Sequence, residues 1–362
     1  MVLGLSSFRF FAFLAVFLFH LDFFEFGYMG VHAFFVLSGF LLTPIILQMK
    51  QHLPTKRYFI NFYGRRSLRI FPLYFSYLIA ISIIAYVALE YFNYDLNDRL
   101  ARTQEQIIYA VTYTYNFFTM SSSYEQTQTI THFWSLAVEE QFYLLWPLVI
   151  FLLHKNSLKK TLIVIIIAAP ILRFLLAQLV LTNNEMGFNS VDMVVYTFTF
   201  SSFDAFAVGG YFALYGKNIN NFAILAAFLA IISLGFATDY LIGVKFDLRS
   251  FGYHSFMRDG YKYVWGFSLF SILFAAILVN IRDKKFIPIV FENKLMAYLG
   301  KISYGLYVYH FPIVYFLGHE LSALSFYLRA PILLILTIAI SALSFHLLEI
   351  HFLKAKNKYF PH

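Results

Sequence analysis

The sequence predicts an all-α integral membrane protein, a bundle of about ten transmembrane helices with both termini in the cytoplasm. Of its 362 residues, 60% are hydrophobic and only 13% are charged, whereas a soluble domain is typically about a quarter charged. The apolar residues gather into stretches that approach the ~20 residues a helix needs to span a bilayer. Most of the 27 Lys and Arg residues fall into loops on one side, as is typical of cytoplasmic loops.

The predicted spans follow one another along the chain without a linker or a change in composition. In order, they cover 8–24, 30–49, 70–90, 134–154, 160–181, 196–215, 221–241, 262–281, 302–320 and 330–352. The weaker segment 106–118 is assigned to an interfacial helix or lid on the outer side, since a span there would turn every later basic loop outward. We expect 1–362 to form a single transmembrane domain, with no cleavable signal and no appended soluble domain.

Two compositional facts exclude several classes of function. The chain has no cysteine, which rules out disulfides, thiolate nucleophiles and thiolate metal sites. The net charge of +8 is explained by the basic cytoplasmic loops, so we expect no nucleic-acid partner. The motifs GxSxG, HExxH and the P-loop are absent. No metal is predicted, because the outlying histidines lack ligand spacing: His154, His254, His319, His351 and His362.

The first span carries two ionisable residues, Arg9 and His20, in the stretch RFFAFLAVFLFH. Eleven residues apart, they share a helical face and lie ~16 Å apart along the axis, with Arg9 near the inner surface. In one interpretation Arg9 reaches the inner headgroups and His20 is a structural histidine. In the other, Arg9 positions an anionic donor and His20 accepts a proton.

Two arginines one turn apart begin the third span. Arg66 and Arg69, in RRSLRIFP, share a helical face. They fit an ordinary positive-inside anchor. They also fit a phosphate clamp, because the planar guanidinium binds phosphoryl groups well, such as those of a nucleotide-bearing acyl carrier.

The segment THFWSLAVEEQFYLLWP places two carboxylates about one turn into the fourth span. Adjacent residues on a helix face different directions, so at least one of Glu139 and Glu140 must point into the bundle or at water. Glu139 shares a face with Ser135 and Tyr143, and we predict that it orients the His20 imidazole, as a triad's acid does. A structural buried pair is the alternative.

Later spans add further polar groups. Asp204 is an isolated acid within its span, and Gly209 and Gly210 allow close helix packing there. In KISYGLYVYHFP, Ser303, Tyr307 and His310 fall on one face. Packing contacts between helices explain these groups, and also Arg173 and Glu349. Substrate binding is the alternative role, and the residues assigned to it are Arg66, Arg69, Trp134, Ser135, Glu140, Tyr143, Asp204, Tyr304 and His310.

Six sequence blocks in this order resemble the acyltransferase-3 family of bacterial membrane acyltransferases. They are Arg9 to His20, GVHAFFVLSGFLL at 30–42, RRSLRIFPLYF at 65–75, FWSLAVEEQFYLLWP at 133–147, FDAFAVGGYFA at 203–213 and ISYGLYVYHFP at 302–312. The resemblance implies ten core helices, an inner-membrane location and transfer of an acyl group, most often acetyl from acetyl-CoA. The acceptor it implies is a hydroxyl of a cell-envelope carbohydrate, such as lipopolysaccharide O-antigen or exopolysaccharide.

The resemblance also carries residue roles. It implies that Arg9 and His20 are essential and that Arg66 and Arg69 bind acyl-CoA. The combined hypothesis makes His20 the general base on the acceptor hydroxyl, or a transient acyl carrier, with Glu139 holding its tautomer. Acyl-CoA then serves as co-substrate with no permanently bound cofactor, and the partners are the envelope carbohydrate or glycolipid and the bilayer. The rival hypothesis is an exporter of an anionic metabolite or lipid-linked sugar, which also needs intramembrane ionisable groups.

Overall fold

The structure, a computed structural model, describes residues 2–91, 97–183 and 187–361, with only the backbone described at Lys155 and Asn156. The chain forms two compact units, Met1–Gln48 with Leu148–Lys301 and Met49–Pro147 with Ile302–His362. Each unit combines two separate stretches of chain, and the single-domain assignment stays a prediction. His362 and part of the predicted outer loop 182–195 lie outside the described residues.

The described ranges are almost wholly helical and contain no β-strand. The helices are α1 Leu3–His20, α2 Met29–His52, α3 Thr55–Tyr91, α4 Asn97–Val111, α5 Tyr115–Phe118, α6 Phe133–Leu152, α7 Lys155–Thr182, α8 Val191–Thr197, α9 Phe203–Tyr215, α10 Asn221–Ile242, α11 Lys262–Arg282, α12 Pro288–Phe291, α13 Lys294–Lys301, α14 Ser303–Pro312, α15 Gly318–Glu320, α16 Phe326–Ser344 and α17 Ile350–Tyr359. Short 3₁₀ and π-helical turns join several of them.

Eight helical segments of the described chain are long and apolar enough to cross a membrane. A ninth is formed if Val191–Thr197 and Thr199–Tyr215, which are bent by 70° relative to each other, count as one broken span. The chain is therefore a multi-pass membrane protein, and the predicted all-α membrane bundle is confirmed. The predicted span 302–320 is helical, through α14, a π-helical turn and α15, but it is not among these segments.

In the first unit, α1 is shifted toward the N-terminus relative to the predicted span 8–24. The early start is supported by tertiary contacts, since the Ser7 hydroxyl donates to the Phe291 carbonyl at 2.7 Å. The helix ends at His20, and Asp22 just beyond it adopts a left-handed backbone with φ 56°. Hydropathy alone misplaced both ends of this helix. The apolar pattern shows neither the contact of Ser7 with Phe291 nor the turn at Asp22.

The predicted span 196–215 is broken rather than continuous. Phe198 has an extended backbone, φ −67° and ψ 125°, which separates α8 from the helical turn before α9. Within α9, Gly209 lies so close to the Val36 carbonyl of α2 that no side chain fits between them. The prediction that small residues here allow close helix packing is confirmed.

A buried charge network ties the loop 243–261 to the helices around it. His254 Nδ1 lies 3.2 Å from Glu25 Oε2, and its Nε2 lies 3.8 Å from Asp239 Oδ2. Lys262 Nζ pairs with the other oxygen of Asp239. The network links the segment after α1, the end of α10 and the start of α11, and so fixes the loop.

In the second unit, α3 begins well before the predicted span 70–90. Its 37 residues include the basic stretch 65–69, because arginine and lysine are good helix formers even where hydropathy is low. The segment 106–118 is not among the candidate spans, in agreement with the prediction that it does not cross the membrane. Its interfacial position stays a prediction. Its first part belongs to α4, which ends at Val111 just before Tyr113, a residue with φ 54°, and its last part forms α5.

Candidate functional site

Arg9 and His20 lie on one helix in the first unit. The 1.5 Å rise per residue puts them ~16 Å apart along α1, as predicted. Arg9 is two turns inside the helix, and His20 is its last residue; both are partly buried. Because α1 starts earlier than the predicted span 8–24 and stops at His20, Arg9 lies further inside the helix than those bounds imply. The placement of Arg9 near the inner surface and of His20 toward the outer half stays a prediction.

The His20 end of α1 lies in an aromatic environment. Phe19 is 5.1 Å from the His20 ring, 5.9 Å from that of Tyr28 and 6.2 Å from that of Phe256. As the last residue of the helix, His20 also lies at the negative end of the helix dipole, which favours positive charge. An imidazole that takes up a proton is therefore well placed here.

Asp204, an isolated acid in the sequence, has a partner in the fold. Arg173 donates to both of its carboxylate oxygens, Nη1 to Oδ1 at 3.1 Å and Nη2 to Oδ2 at 2.9 Å. The Ser268 hydroxyl donates to Oδ2 as well, at 2.5 Å. Both charged side chains are fully buried. The structure favours the packing role for Asp204, and its assignment to substrate binding stays a prediction that these contacts do not support.

In the second unit, three neighbouring arginines of α3 have different surroundings. Arg65 Nη1 donates to the Phe360 carbonyl at 2.5 Å and so holds the C-terminal segment against α3. Arg66 lies 5.3 Å from the centre of the Tyr143 ring, a cation–π contact. Arg69 lies within electrostatic range of Glu349, Tyr143 and Arg66. Arg66 and Arg69 therefore face the interior of their unit together.

A fourth cation joins these arginines. Lys356 of α17 lies within electrostatic range of Arg65, Arg66 and Arg69. The Glu349 carboxylate lies within electrostatic range of Arg69, and the Glu140 carboxylate lies within range of Arg66. Among the described residues, none of Arg66, Arg69 and Lys356 forms an ion pair. Like charges held together in a partly desolvated site repel one another, and a bound anion relieves that repulsion.

The two carboxylates of α6 act on different neighbours, as expected of adjacent helical residues. Glu139 acts electrostatically on Tyr307. Glu140 lies within range of Arg66, Tyr113 and Tyr304. Glu139 and His20 belong to different units, so the orienting role of Glu139 stays a prediction.

Ser135 and His310 are engaged in contacts that join α6 to α14. The Ser135 hydroxyl lies 2.5 Å from the Tyr307 hydroxyl and donates to the His132 carbonyl at 3.0 Å. His310 Nδ1 lies 2.6 Å from the Tyr307 carbonyl, and its side chain is fully buried. These contacts favour the packing alternative for both residues.

Two further predicted substrate contacts lie on the same helices. Tyr304 is partly buried, and its hydroxyl donates to the Ile70 carbonyl of α3 at 3.2 Å. Trp134, at the start of α6, is buried. Tyr304 thus belongs to the cluster around Arg69 and Glu140, whereas the role of Trp134 stays a prediction.

The chain was compared with known protein families. A family model described as an acyltransferase domain matches residues 2–346. The chain belongs to the acyltransferase-3 family. Arg9 and His20 lie in its first unit, and Arg66 and Arg69 lie in its second.

Curated relatives of the chain are named as O-acetyltransferases. It is 28% identical over 327 residues to O-acetyltransferase OatA of Staphylococcus aureus (strain NCTC 8325 / PS 47), covering 87% of this chain and 51% of that protein. It is 26% identical to the putative O-acetyltransferase SACOL0978 of S. aureus (strain COL), covering 97% and 57%. The chain thus spans about half the length of these relatives. No solved structure matches it significantly.

Two members of the polar cluster around Arg69 and Glu140 were not predicted from the sequence. Lys356 was one of many basic residues near the C-terminus, and its approach to Arg69, 287 positions earlier, depends on how α17 packs on α3. Tyr113 stood among many tyrosines. The feature that distinguishes Tyr113 is its left-handed backbone conformation, which is unusual for a bulky residue and is visible only in the structure.

Proposed function

We propose that this acyltransferase is an O-acetyltransferase of the bacterial inner membrane. It transfers acetyl from cytoplasmic acetyl-CoA to a hydroxyl of a cell-envelope carbohydrate. The observation that carries the proposal is the cluster of Arg66, Arg69 and Lys356, three cations without an ion pair among the described residues. Such a cluster suits the phosphates of a coenzyme A thioester. The names of the relatives, O-acetyltransferases, support the acyl group and the bond formed.

In this proposal His20 is the general base. Its imidazole takes the proton of the acceptor hydroxyl, and the acceptor oxygen attacks the thioester carbonyl carbon. The carbon–sulfur bond then breaks, and the thiolate leaves as coenzyme A and takes up a proton. The position of His20 at the negative end of a helix dipole supports the role, since the imidazolium that forms is stabilised there. Arg9, on the same helix, positions the donor.

The proposed topology places both termini and the basic start of α3 in the cytoplasm, where acetyl-CoA is made. The exporter hypothesis remains the rival. It explains charged groups within spans, but the match of residues 2–346 to an acyltransferase family favours the enzyme.

The test is covalent transfer. Membranes containing this protein, incubated with radiolabelled acetyl-CoA, are expected to place label in envelope carbohydrate that survives extraction and is released by mild alkali as an ester. Membranes with the inactive double variant Arg66→Ala, Arg69→Ala serve as control. Label that crosses into the vesicles without covalent attachment would favour the exporter. Mass spectrometry of envelope polysaccharides with and without the protein would identify the acceptor.

We expect the double variant Arg66→Ala, Arg69→Ala to bind coenzyme A at least about a hundredfold more weakly than the wild type. A hydrogen bond to a charged group is worth about 1.5–3 kcal/mol, about tenfold or more for each arginine. Isothermal calorimetry in detergent measures the affinity. Arg57→Ala is the matched control, because Arg57 lies on the same helix and is exposed. If the double variant and the control bind coenzyme A equally well, Arg66 and Arg69 are membrane anchors rather than phosphate ligands.

A further inference from the structure

Several polar atoms in the described part of the second unit are buried and lack a hydrogen bond. Among them are Oε1 of Glu140 on α6 and the hydroxyl of Tyr113 in the turn after α4. Buried polar groups in native proteins are nearly always hydrogen-bonded, and each exception needs an explanation. A ligand that supplies the missing partners is one such explanation.

The fold holds Tyr113 in place at an energetic cost. Its φ of 54° lies in the left-handed region, which a bulky residue rarely adopts. Gln141 Nε2 donates to its carbonyl at 2.8 Å, and its ring stacks on that of Tyr74 with centres 4.5 Å apart. Strain of this kind persists where the surrounding structure enforces it, and it concentrates at ligand sites.

Glu140 has three phenols within its electrostatic range, and two of them are already used. The Tyr74 hydroxyl donates to the Ala110 carbonyl at 2.7 Å, and the Tyr304 hydroxyl donates to the Ile70 carbonyl at 3.2 Å. Tyr113 is the third. Burial raises the pKa of Tyr113, and the Glu140 carboxylate raises it further. Its hydroxyl therefore stays protonated and remains a donor.

This pair lies beyond the arginines along α3. Tyr74, on which Tyr113 stacks, is eight residues past Arg66, which is ~12 Å along the helix axis. Arg66 also lies within electrostatic range of Glu140. A ligand whose phosphates meet Arg66 and Arg69 thus passes Glu140 and Tyr113 if it extends along α3.

We propose that Tyr113 and Glu140 bind a secondary amide of the pantetheine arm of the acyl-CoA donor. The free Glu140 oxygen accepts the amide N–H, and the Tyr113 hydroxyl donates to the amide carbonyl. An amide needs one acceptor and one donor, and the site offers one of each. The inference rests on the proposed function, because it places the arm of the same donor whose phosphates the arginines hold. An N-acetyl group of an amino-sugar acceptor has the same amide chemistry, and the proximity to Arg66 favours the donor.

Two ligands separate the arm from the phosphates. Coenzyme A carries both, whereas adenosine 3′,5′-bisphosphate carries phosphates without the arm. By calorimetry in detergent, we expect Tyr113→Phe to weaken coenzyme A binding about tenfold and to leave the bisphosphate affinity unchanged. Glu140→Leu removes the acceptor oxygen and no positive charge, so it should leave bisphosphate binding unweakened, and the preference for coenzyme A falls again.

Tyr115→Phe is the matched control. Tyr115 is buried two residues further along, and its hydroxyl donates to Gln106 Oε1 at 2.8 Å within the fold. We expect this variant to keep the wild-type preference for coenzyme A. If Tyr113→Phe also keeps the wild-type preference for coenzyme A over the bisphosphate, the inference is overturned. It is likewise overturned if Tyr113→Phe raises only the KM for the acceptor. Neither result contradicts the proposed phosphate site at Arg66 and Arg69. If the wild-type protein binds neither ligand, the proposed function itself fails.

Discussion

Replacing His20 with alanine is expected to lower the rate of acetyl transfer by about 10²–10⁴-fold, the usual contribution of a general base. The imidazole at the end of α1 is the group assigned to take the proton of the acceptor hydroxyl. Without it, the hydroxyl must attack the thioester while still protonated. The measurement is the initial rate of label transfer from acetyl-CoA to envelope carbohydrate, normalised to the amount of inserted protein.

The control is His351→Ala, which removes an exposed histidine of α17. We expect this variant to transfer acetyl at the wild-type rate. A loss of less than tenfold in an inserted His20→Ala protein would refute the base assignment. Incubation with labelled donor alone then separates the two roles considered for His20: label retained on the wild-type protein indicates a covalent acyl carrier, and its absence indicates a base.

Replacing Asp204 with alanine is expected to destabilise the protein by about 3–5 kcal/mol, the usual cost of breaking a buried ion pair. The change leaves the Arg173 guanidinium fully buried without the carboxylate that accepts two of its hydrogen bonds. An uncompensated charge in a low-dielectric interior carries most of that cost. Thermal unfolding in detergent, followed by size-exclusion chromatography of the soluble fraction, measures the loss as a lower midpoint.

Two further variants make this test specific. Asp247 pairs with Arg249 outside the spans, where the arginine side chain is 59% exposed. Exposed ion pairs contribute about 0–1 kcal/mol, so Asp247→Ala should hardly change the midpoint. Replacing Arg173 by methionine together with Asp204→Ala removes both charges and should restore part of the stability. An Asp204→Ala protein as stable as the Asp247→Ala protein would contradict the prediction.

The spans were predictable from sequence for a physical reason. Within hydrocarbon every backbone polar group needs a partner in its own segment, so a long apolar stretch must be a helix. This logic located α2, α6, α7, α10 and α11. It failed at α3, whose basic first third is helical without being apolar, and at Phe198, where the chain turns within an apolar stretch.

The candidate site was predictable in part. The spacing of Arg9 and His20, and that of Arg66 and Arg69, follow from the helical period, so the sequence places each pair on one face. The helical period does not specify which other helices pack against each pair. Asp204 therefore looked isolated until α7 was seen to bring Arg173 against it.

The sequence by itself determined that this is a helical membrane protein of the acyltransferase-3 family. It also identified the ionisable residues within the apolar segments, which are rare in a membrane interior and usually functional. Those conclusions rest on composition and local period. Only the tertiary structure decided which of these charges satisfy one another. It pairs Arg173 with Asp204, brings Lys356 to Arg66 and Arg69, and leaves Glu140 and Tyr113 with unused hydrogen-bonding atoms. Contacts between residues far apart in the sequence depend on how whole helices pack, and local sequence patterns do not specify that packing.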